Sequence, residues 1–267
     1  MPEVNNTSNE IGGLVTYSLL VEGTAVSGSI EIVSIETFQE INRITRASLV
    51  IVDGEPDTAN FSVSSSNVFM PGKSIAVSLG YDSNNVSVFK GIIISNAQKA
   101  SDDGGLLVVE CRDEAVKMTL DKNSKHYNNI TASDVAETLL GNYGIANTNI
   151  SPATVTHKQL VQYNSSDWDF MISRLDAAGL MCILNNGETR IKKMEATPTG
   201  SNLPVFEFGN NIIEFDGSMD ARAQSGSVVL QSWNYSTQEL ETENDALNMY
   251  NPGGISTDDL GTGHTTT

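Results

Sequence analysis

The chain is short of the residues that enzymes and metal proteins most often work with. Its 267 residues include only three histidines and two cysteines. His126, His157 and His264 stand far apart, with no cysteine or acidic motif at metal-ligand spacing beside them, so no zinc or other metal site is expected. The nucleophile elbow GxSxG and the phosphate loop GxxxxGK[ST] are both missing, and Gly261-Thr262-Gly263 lacks a third glycine and a following helix. No carboxylate pair sits in an apolar setting that would raise one pKa for acid catalysis. No catalytic residue, cofactor or metal is therefore expected. Cys111 and Cys182 lie singly in apolar stretches without a CxxC pairing and read as buried free thiols.

Long hydrophobic runs are lacking too. Ile92-Ile93-Ile94 is among the longest, far below the ~20 residues that cross a bilayer, so direct membrane insertion is not expected. The start, Met1-Pro2-Glu3-Val4-Asn5-Asn6, has no basic segment followed by an apolar core, and folding and assembly in the cytoplasm are expected. Basic residues are scarce: 15 Lys and Arg against 33 Asp and Glu give a formal charge of -18. Such a surface repels a phosphate backbone, which argues against nucleic acid as a partner. The acidity serves solubility, or forms an acidic lumen or a docking face for a basic partner.

What is present is strand and turn. With 39% hydrophobic residues and 22 glycines, the chain reads as β-rich and long enough for two or three small domains. Strand-like segments lie at residues 14–22, 29–36 and 47–53 and read as a meander, with Glu22-Gly23 and Asp53-Gly54 as turns. Residues 61–69 read as a connecting loop or edge strand. After the sharp turn at Pro71-Gly72 come a strand at 74–81, a long strand at 86–98 and another at 106–112. Six or so strands in about a hundred residues predict a closed or nearly closed antiparallel barrel.

Composition then changes. Residues 113–120 can form one or two helical turns. Thr131-Ala132-Ser133-Asp134 resembles a capping box and predicts a helix carrying Val135, Ala136, Leu139, Leu140 and Tyr143 on one face, ended by Gly144. Asn164-Ser165-Ser166-Asp167 predicts a second helix start, followed by Trp168, Met171, Ile172, Leu175 and Ala178 on one face and Gly179 as its exit. Trp168 reads as a core anchor. Asp167 and Asp169 read as first-turn residues facing the positive helix end, Asp169 on the solvent side. Leu180 to Leu184 and Thr189 to Met194 predict a hairpin about Asn186-Gly187. Beyond Pro204, residues 211–219 and 227–235 echo the pattern of residues 92–99 and 106–112, and the chain ends in an acidic, Gly/Thr-rich stretch that reads as loop or tail.

Two stretches carry a family resemblance. The run Gln162-Tyr163-Asn164, two serines, Asp167-Trp168-Asp169-Phe170, a helical turn with Leu175, then Gly179-Leu180 resembles the central segment of the VgrG proteins of type VI secretion and of the late control D hub proteins of contractile phage tails. Upstream, Phe69-Met70-Pro71-Gly72-Lys73, Gly80-Tyr81 and Val88-Phe89-Lys90-Gly91-Ile92-Ile93 are similar to that family's first barrel. Neither motif is catalytic, so the resemblance implies a scaffold and not an enzyme. It implies a mainly β chain: two related antiparallel tube-type β-barrels joined by a small α+β module. The division is a flexible N-terminus at 1–13, a first barrel at 14–120, the α+β module at 121–195, a partial second barrel at 196–240 and an acidic tail at 241–267. It also implies a homotrimer whose six barrels meet a hexameric inner-tube protein, with a spike domain or spike protein and baseplate proteins as further partners, delivered outside the cell as part of the injection particle.

The longer family members continue into an oligonucleotide-binding-type barrel and a β-helical needle, and no such repeat is seen here. The second barrel then needs strands from residues 180–194 or from sequence not present. For tube or subunit contact the expected surfaces are the long hairpins 92–112 and 211–235, through Ile92, Ile94, Leu106, Val108, Ile212, Phe215, Val228, Leu230 and Trp233. The competing classes are a tail-associated cell-wall hydrolase and an acidic β-rich binding module.

Overall fold

The computed structural model describes residues 13–54, 60–101, 104–193, 205–212, 214–218 and 229–243. It is mainly β, largely antiparallel, with a small helical part, as expected. The chain divides into two units, Met1–Lys193 and Met194–Thr267.

In the first unit, β1 (Val15–Val21), β2 (Thr24–Ala25), β3 (Ile32–Phe38), β4 (Arg46–Val52), β5 (Ser74–Tyr81), β6 (Asn84–Ser101) and β7 (Gly104–Arg112) form one antiparallel sheet in the order β2-β1-β5-β6-β7-β4-β3. Side chains alternate across a strand, and that alternation selects the inner face. Ala47, Leu49 and Ile51 of β4 face the core beside Leu107, Val109 and Cys111 of β7, Ile75 and Val77 of β5, and Phe89 and Ile93 of β6. Phe69 and Val63, from the connection between β4 and β5, cover the same core. The buried carboxylate of Asp53 anchors that connection by accepting the Val63 and Ser64 N–H groups at 2.9 and 2.8 Å.

The meander expected of β1, β3 and β4 is not what forms. β1 pairs with β5, and β3 lies at the opposite edge beside β4. The burial pattern gives the reason: β4 buries every second residue and takes an interior place between β7 and β3, whereas β1 buries only Leu19 and Val21 and suits an edge. Among the described residues the ladder does not close. β3 pairs only with β4, and β1 beyond β5 has only the two pairs to β2.

An α+β module completes this unit. A 3-10 helix (Glu114–Thr119), N-capped by Asp113, leads into β8 (Lys122–Thr131), α1 (Ala132–Asn142), β9 (Ala146–Ile150), β10 (Thr156–Ser166), α2 (Asp167–Ala177), β11 (Leu180–Asn185) and β12 (Glu188–Lys193). The capping box at Thr131 and Asp134 is present, as is the Ser166 cap of α2. Gly144 and Gly179 leave their helices at φ 67°, and Asn186 and Gly187 turn the β11–β12 hairpin at φ 53° and 77°. β9 runs parallel to β12, while β8 and β10 form a separate antiparallel pair. Their shared core holds Val135, Leu139, Leu140, Trp168, Met171 and Leu175, together with Ala115 and Met118 of the 3-10 helix. β11 and β12 belong to this core, as the α+β module at 121–195 expects, and of the two sources named for completing a second barrel the described residues show neither.

The connection between β3 and β4 clasps the module to the sheet. Gln39 and Thr45 both donate to the Leu184 carbonyl, at 2.6 and 3.0 Å. Asn42 donates its backbone N–H to the Cys182 carbonyl, accepts the Cys182 N–H and donates to Asp176, each at 2.8 Å. It does so at φ 59°, a left-handed conformation that asparagine tolerates better than most residues. Asn42→Ala should therefore cost about 2 kcal/mol, from an orphaned strand N–H and added backbone strain, in urea denaturation of the whole chain.

In the second unit, Asn211 closes a turn by accepting the Glu207 N–H and donating to the Val205 carbonyl, both at 2.7 Å. β13 (Leu230–Asn234) pairs with β14 (Glu239–Glu243). The expected hairpin of residues 211–219 with 227–235 is corrected: residues 214–218 form no strand, and the partner of β13 lies after it. Asn234 makes the turn, its side-chain oxygen accepting the Ser236 and Thr237 N–H groups at 2.9 and 3.3 Å. Glu239 to Glu243 alternates carboxylate with Leu240 and Thr242 and is a strand, so residues 241–243, expected as the start of the tail, belong to it.

Candidate functional site

The two family-like stretches build structure, and each has a definite task. β6 is 18 residues long. Up to Ile92 it pairs with β5, and from Ile92 onward with β7, with a register shift between Ile93 and Ser95. A bulge of this kind bends a strand and turns the corner of a curved sheet. The Phe69–Lys73 stretch satisfies the bend. The Ile93 N–H donates to the Lys73 carbonyl at 2.9 Å, the Gly72 N–H donates to the Ile93 carbonyl at 2.8 Å, and Asn96 donates to the Phe69 carbonyl at 3.0 Å. Phe69 and Phe89 are buried, whereas Pro71 and Tyr81 are exposed. Gly80 and Gly91 stand where a neighbouring backbone passes too close for a side chain.

The second stretch centres on Asp167. Its side chain is buried and accepts three hydrogen bonds: from Gln162 at 2.7 Å, Asn123 at 3.0 Å and the Tyr143 hydroxyl at 3.0 Å. Burial pushes its pKa up, but the three donors outweigh burial and hold the carboxyl below the usual carboxylate range. Both tyrosines are raised, Tyr143 by burial, then by its hydrogen bond to Asp167 and that group's charge, and Tyr127 by burial and then by the Asp167 charge. Helix-dipole placement is thus only part of the role of Asp167: it joins α1, α2, β8 and β10 through one carboxylate. Asp169 is exposed, as expected, and receives the Ser166 hydroxyl at 2.6 Å. Trp168, Phe170, Leu175 and Leu180 are buried, Gly179 is the helix exit, and Tyr163 points to solvent, 82% exposed.

The surfaces expected to make assembly contacts are brought together only in part. Ile92, Leu106 and Val108 lie on the outer face of the sheet, half-buried, and Ile94 sits at the β6 bulge. Val108 lies opposite Val50 and Leu106 opposite Val52, so these four side chains make an apolar patch on one face of β4 and β7. In the second unit, Ile212 forms an isolated bridge with Phe208, Phe215 is exposed, Leu230 begins β13, and Trp233 pairs across the hairpin with Leu240. Val228 lies outside the described residues. Phe206, Phe208, Phe215, Trp233 and Tyr235 are all exposed, Phe208 to 95%, and no described residue of this unit joins a hydrophobic core. A two-stranded hairpin with its aromatics in water is marginal by itself.

Among the described residues no three His, Cys, Asp or Glu side chains converge as a metal site would require. Burial first, then a neighbouring carboxylate (Glu110 and Asp113 respectively), pushes the Cys111 and Cys182 thiols up to about 12, which leaves them protonated and inert. No helix among the described residues is long and apolar enough to cross a membrane.

The model of a family described as the Alg8 N-terminal domain matches residues 11–266. No curated protein sequence matches. Among solved structures, the fold is similar to the prophage MuSo2 43 kDa tail protein from Shewanella oneidensis, with a TM-score of 0.63 at 13% identity over 93% of this chain and 76% of that one. It is also similar to a tail protein from Neisseria meningitidis MC58, with a TM-score of 0.61 at 16% identity over 87% and 68%. A weaker likeness, with a TM-score of 0.49 at 14% identity, covers 65% of this chain and 48% of an E. coli type VI secretion system component described as similar to the T4 bacteriophage tail proteins gp27 and gp5.

Proposed function

We propose, for a chain that belongs to the Alg8 N-terminal domain family, a structural role as hub or adapter of a contractile injection system, in which three copies match a hexameric inner tube to a central spike. The kinship with VgrG and late control D proteins is part of this reading, as are a second barrel formed from the second unit, the baseplate partners, and export within the assembled particle. The observation that carries it is a tail-protein fold whose surfaces ask for partners. The sheet is open at β1 and at β3 among the described residues, and open edges invite strand addition from a neighbouring copy. The second unit exposes five large aromatics that a threefold arrangement would cover. On this reading the chain acts by shape.

The test is assembly. Incubated with a candidate inner-tube protein and spike, the chain is expected to run at three times 28.6 kDa plus its partners and to show threefold symmetry joined to a sixfold ring in electron micrographs. A chain that stays monomeric with both partners present, or a particle without a threefold element, overturns the proposal.

A further inference from the structure

An arginine-lined cavity of about 670 Å³ is bounded by the β3–β4 connection, the adjoining ends of β3, β4 and β7, and the start of α2. Its lining includes Phe38, Arg43, Arg46, Arg112, Thr119 and Trp168. Three guanidinium groups in one cleft are conspicuous in a chain with only 15 basic residues against 33 acidic ones.

The ladder explains how they meet. Phe38 lies opposite Arg46, and Arg46 opposite Arg112, so the three side chains form one row on the outer face of β3, β4 and β7. Like charges directly opposite each other on a sheet repel and cost stability. Among the described residues no carboxylate pairs with Arg46 or Arg112 to relieve this. Glu40, also in the lining, is bound to Arg43 at 3.1 Å. The next row along the same face holds Glu36, Ser48 and Glu110, but Glu110 accepts the Ser48 hydroxyl at 3.0 Å. Among the described residues neither Arg46 nor Arg112 is in an ion pair. Arg46 is instead laid over the Phe38 ring, its guanidinium carbon 4.1 Å from the centroid. Stacking of this kind fixes the plane of the guanidinium and leaves its in-plane N–H donors aimed outward, the geometry that takes a carboxylate in a two-pronged pair.

We infer that this cleft is a binding site for a short acidic peptide segment of another protein, two carboxylate side chains of which are held by Arg46 and Arg112. A polyphosphate backbone fits less well, because a chain of formal charge -18 repels a long polyanion. A segment of a few residues feels chiefly the local arginines, since charges farther off than ~8 Å are screened at physiological salt. The site does not depend on the hub reading and would serve any partner that carries such a segment.

The chain has two tryptophans, Trp168 and Trp233, and Trp168 lines the cleft. In the full chain carrying Trp233→Phe, titration with a hexaglutamate peptide at physiological salt should give a saturable change in Trp168 emission. Hexaglutamine should give none. Adding Arg46→Gln and Arg112→Gln should weaken hexaglutamate binding at least tenfold, with circular dichroism unchanged and the melting transition not lowered, since the two facing guanidinium groups repel and neither residue is buried. No saturable change with hexaglutamate overturns the inference, as does equal binding by hexaglutamine or by the double variant. Inorganic phosphate displacing the peptide at equal concentration also overturns it, since the cleft would then be a site for any small anion.

Discussion

Asp167→Ala is expected to destabilise the first unit by about 3 kcal/mol or more, the largest loss for any polar substitution in it. The side chain is 1% exposed and receives Gln162, Asn123 and the Tyr143 hydroxyl. Alanine would leave all three donors facing a void, and a donor stranded in the interior costs about 1 to 3 kcal/mol. Asp167→Asn retains the shape and one acceptor and should cost clearly less. The two variants also separate charge from packing through pH. Because the folded pKa of Asp167 lies below its ordinary 3.8, ionised Asp167 adds stability that is present above that value and disappears as pH falls through the folded pKa. The advantage of wild type over Asp167→Asn, measured by urea denaturation, should be full at neutral pH and shrink as pH falls below the ordinary 3.8 and through the lowered folded pKa. Asp113 runs the opposite way: burial above all raises its pKa, so its ionised form costs stability. Taking the difference between wild type and variant cancels that contribution. An advantage that shows no decline on acidification would show that Asp167 contributes through packing alone.

How far this fold can be read from the sequence depends on whether the signal is local. The caps at Thr131 and Ser166, the helix exits at Gly144 and Gly179, and the Asn186-Gly187 turn are decided by a few adjacent residues, and all appear where expected. Strand pairing is not local. Nothing within Val15–Val21 says that its partner is Ser74–Tyr81 and not Ile32–Phe38. β8 escaped notice because its KNSKHYNNIT sequence offers only Tyr127 and Ile130 to a core; it is a strand because β10 lies beside it. The Phe69–Lys73 and Val88–Ile93 motifs were legible as a resemblance, yet their task, satisfying a bulge at Ile93, emerges only when the two are seen hydrogen-bonded to each other. The arginine row was likewise hidden: Phe38, Arg46 and Arg112 are scattered in sequence and meet only through the register of three strands. Asp167 drew attention as a helix-end residue, but three of its partners come from other elements.

Gly91→Ala is expected to cost about 3 kcal/mol, at the upper end of the range for overpacked cores. A Cβ at this position would lie 2.1 Å from the Arg112 carbonyl oxygen and 2.8 Å from its carbon, with the Phe89 ring at 2.9 Å. The obstacle is main chain on β7, held on one side by β4 and on the other by β6, so it cannot swing aside as a side-chain tip would. Gly91 pairs with Ile75 just before β6 leaves β5 for β7, and relief would come by prying those strands apart at the corner. Gly72→Ala is the matched control. It lies in the same corner at φ 95°, but a Cβ there meets nothing within 4 Å, so it bears only the strain of a left-handed backbone, about 1 kcal/mol. Urea denaturation of both variants should place Gly91→Ala well below Gly72→Ala in midpoint. If assembly depends on how the corner presents the β6–β7 hairpin, Gly91→Ala should also lose partner binding under conditions where it remains folded by circular dichroism, while Gly72→Ala retains it. Equal midpoints for the two would mean that β7 yields at little cost and that close approach at Gly91 does not fix the corner.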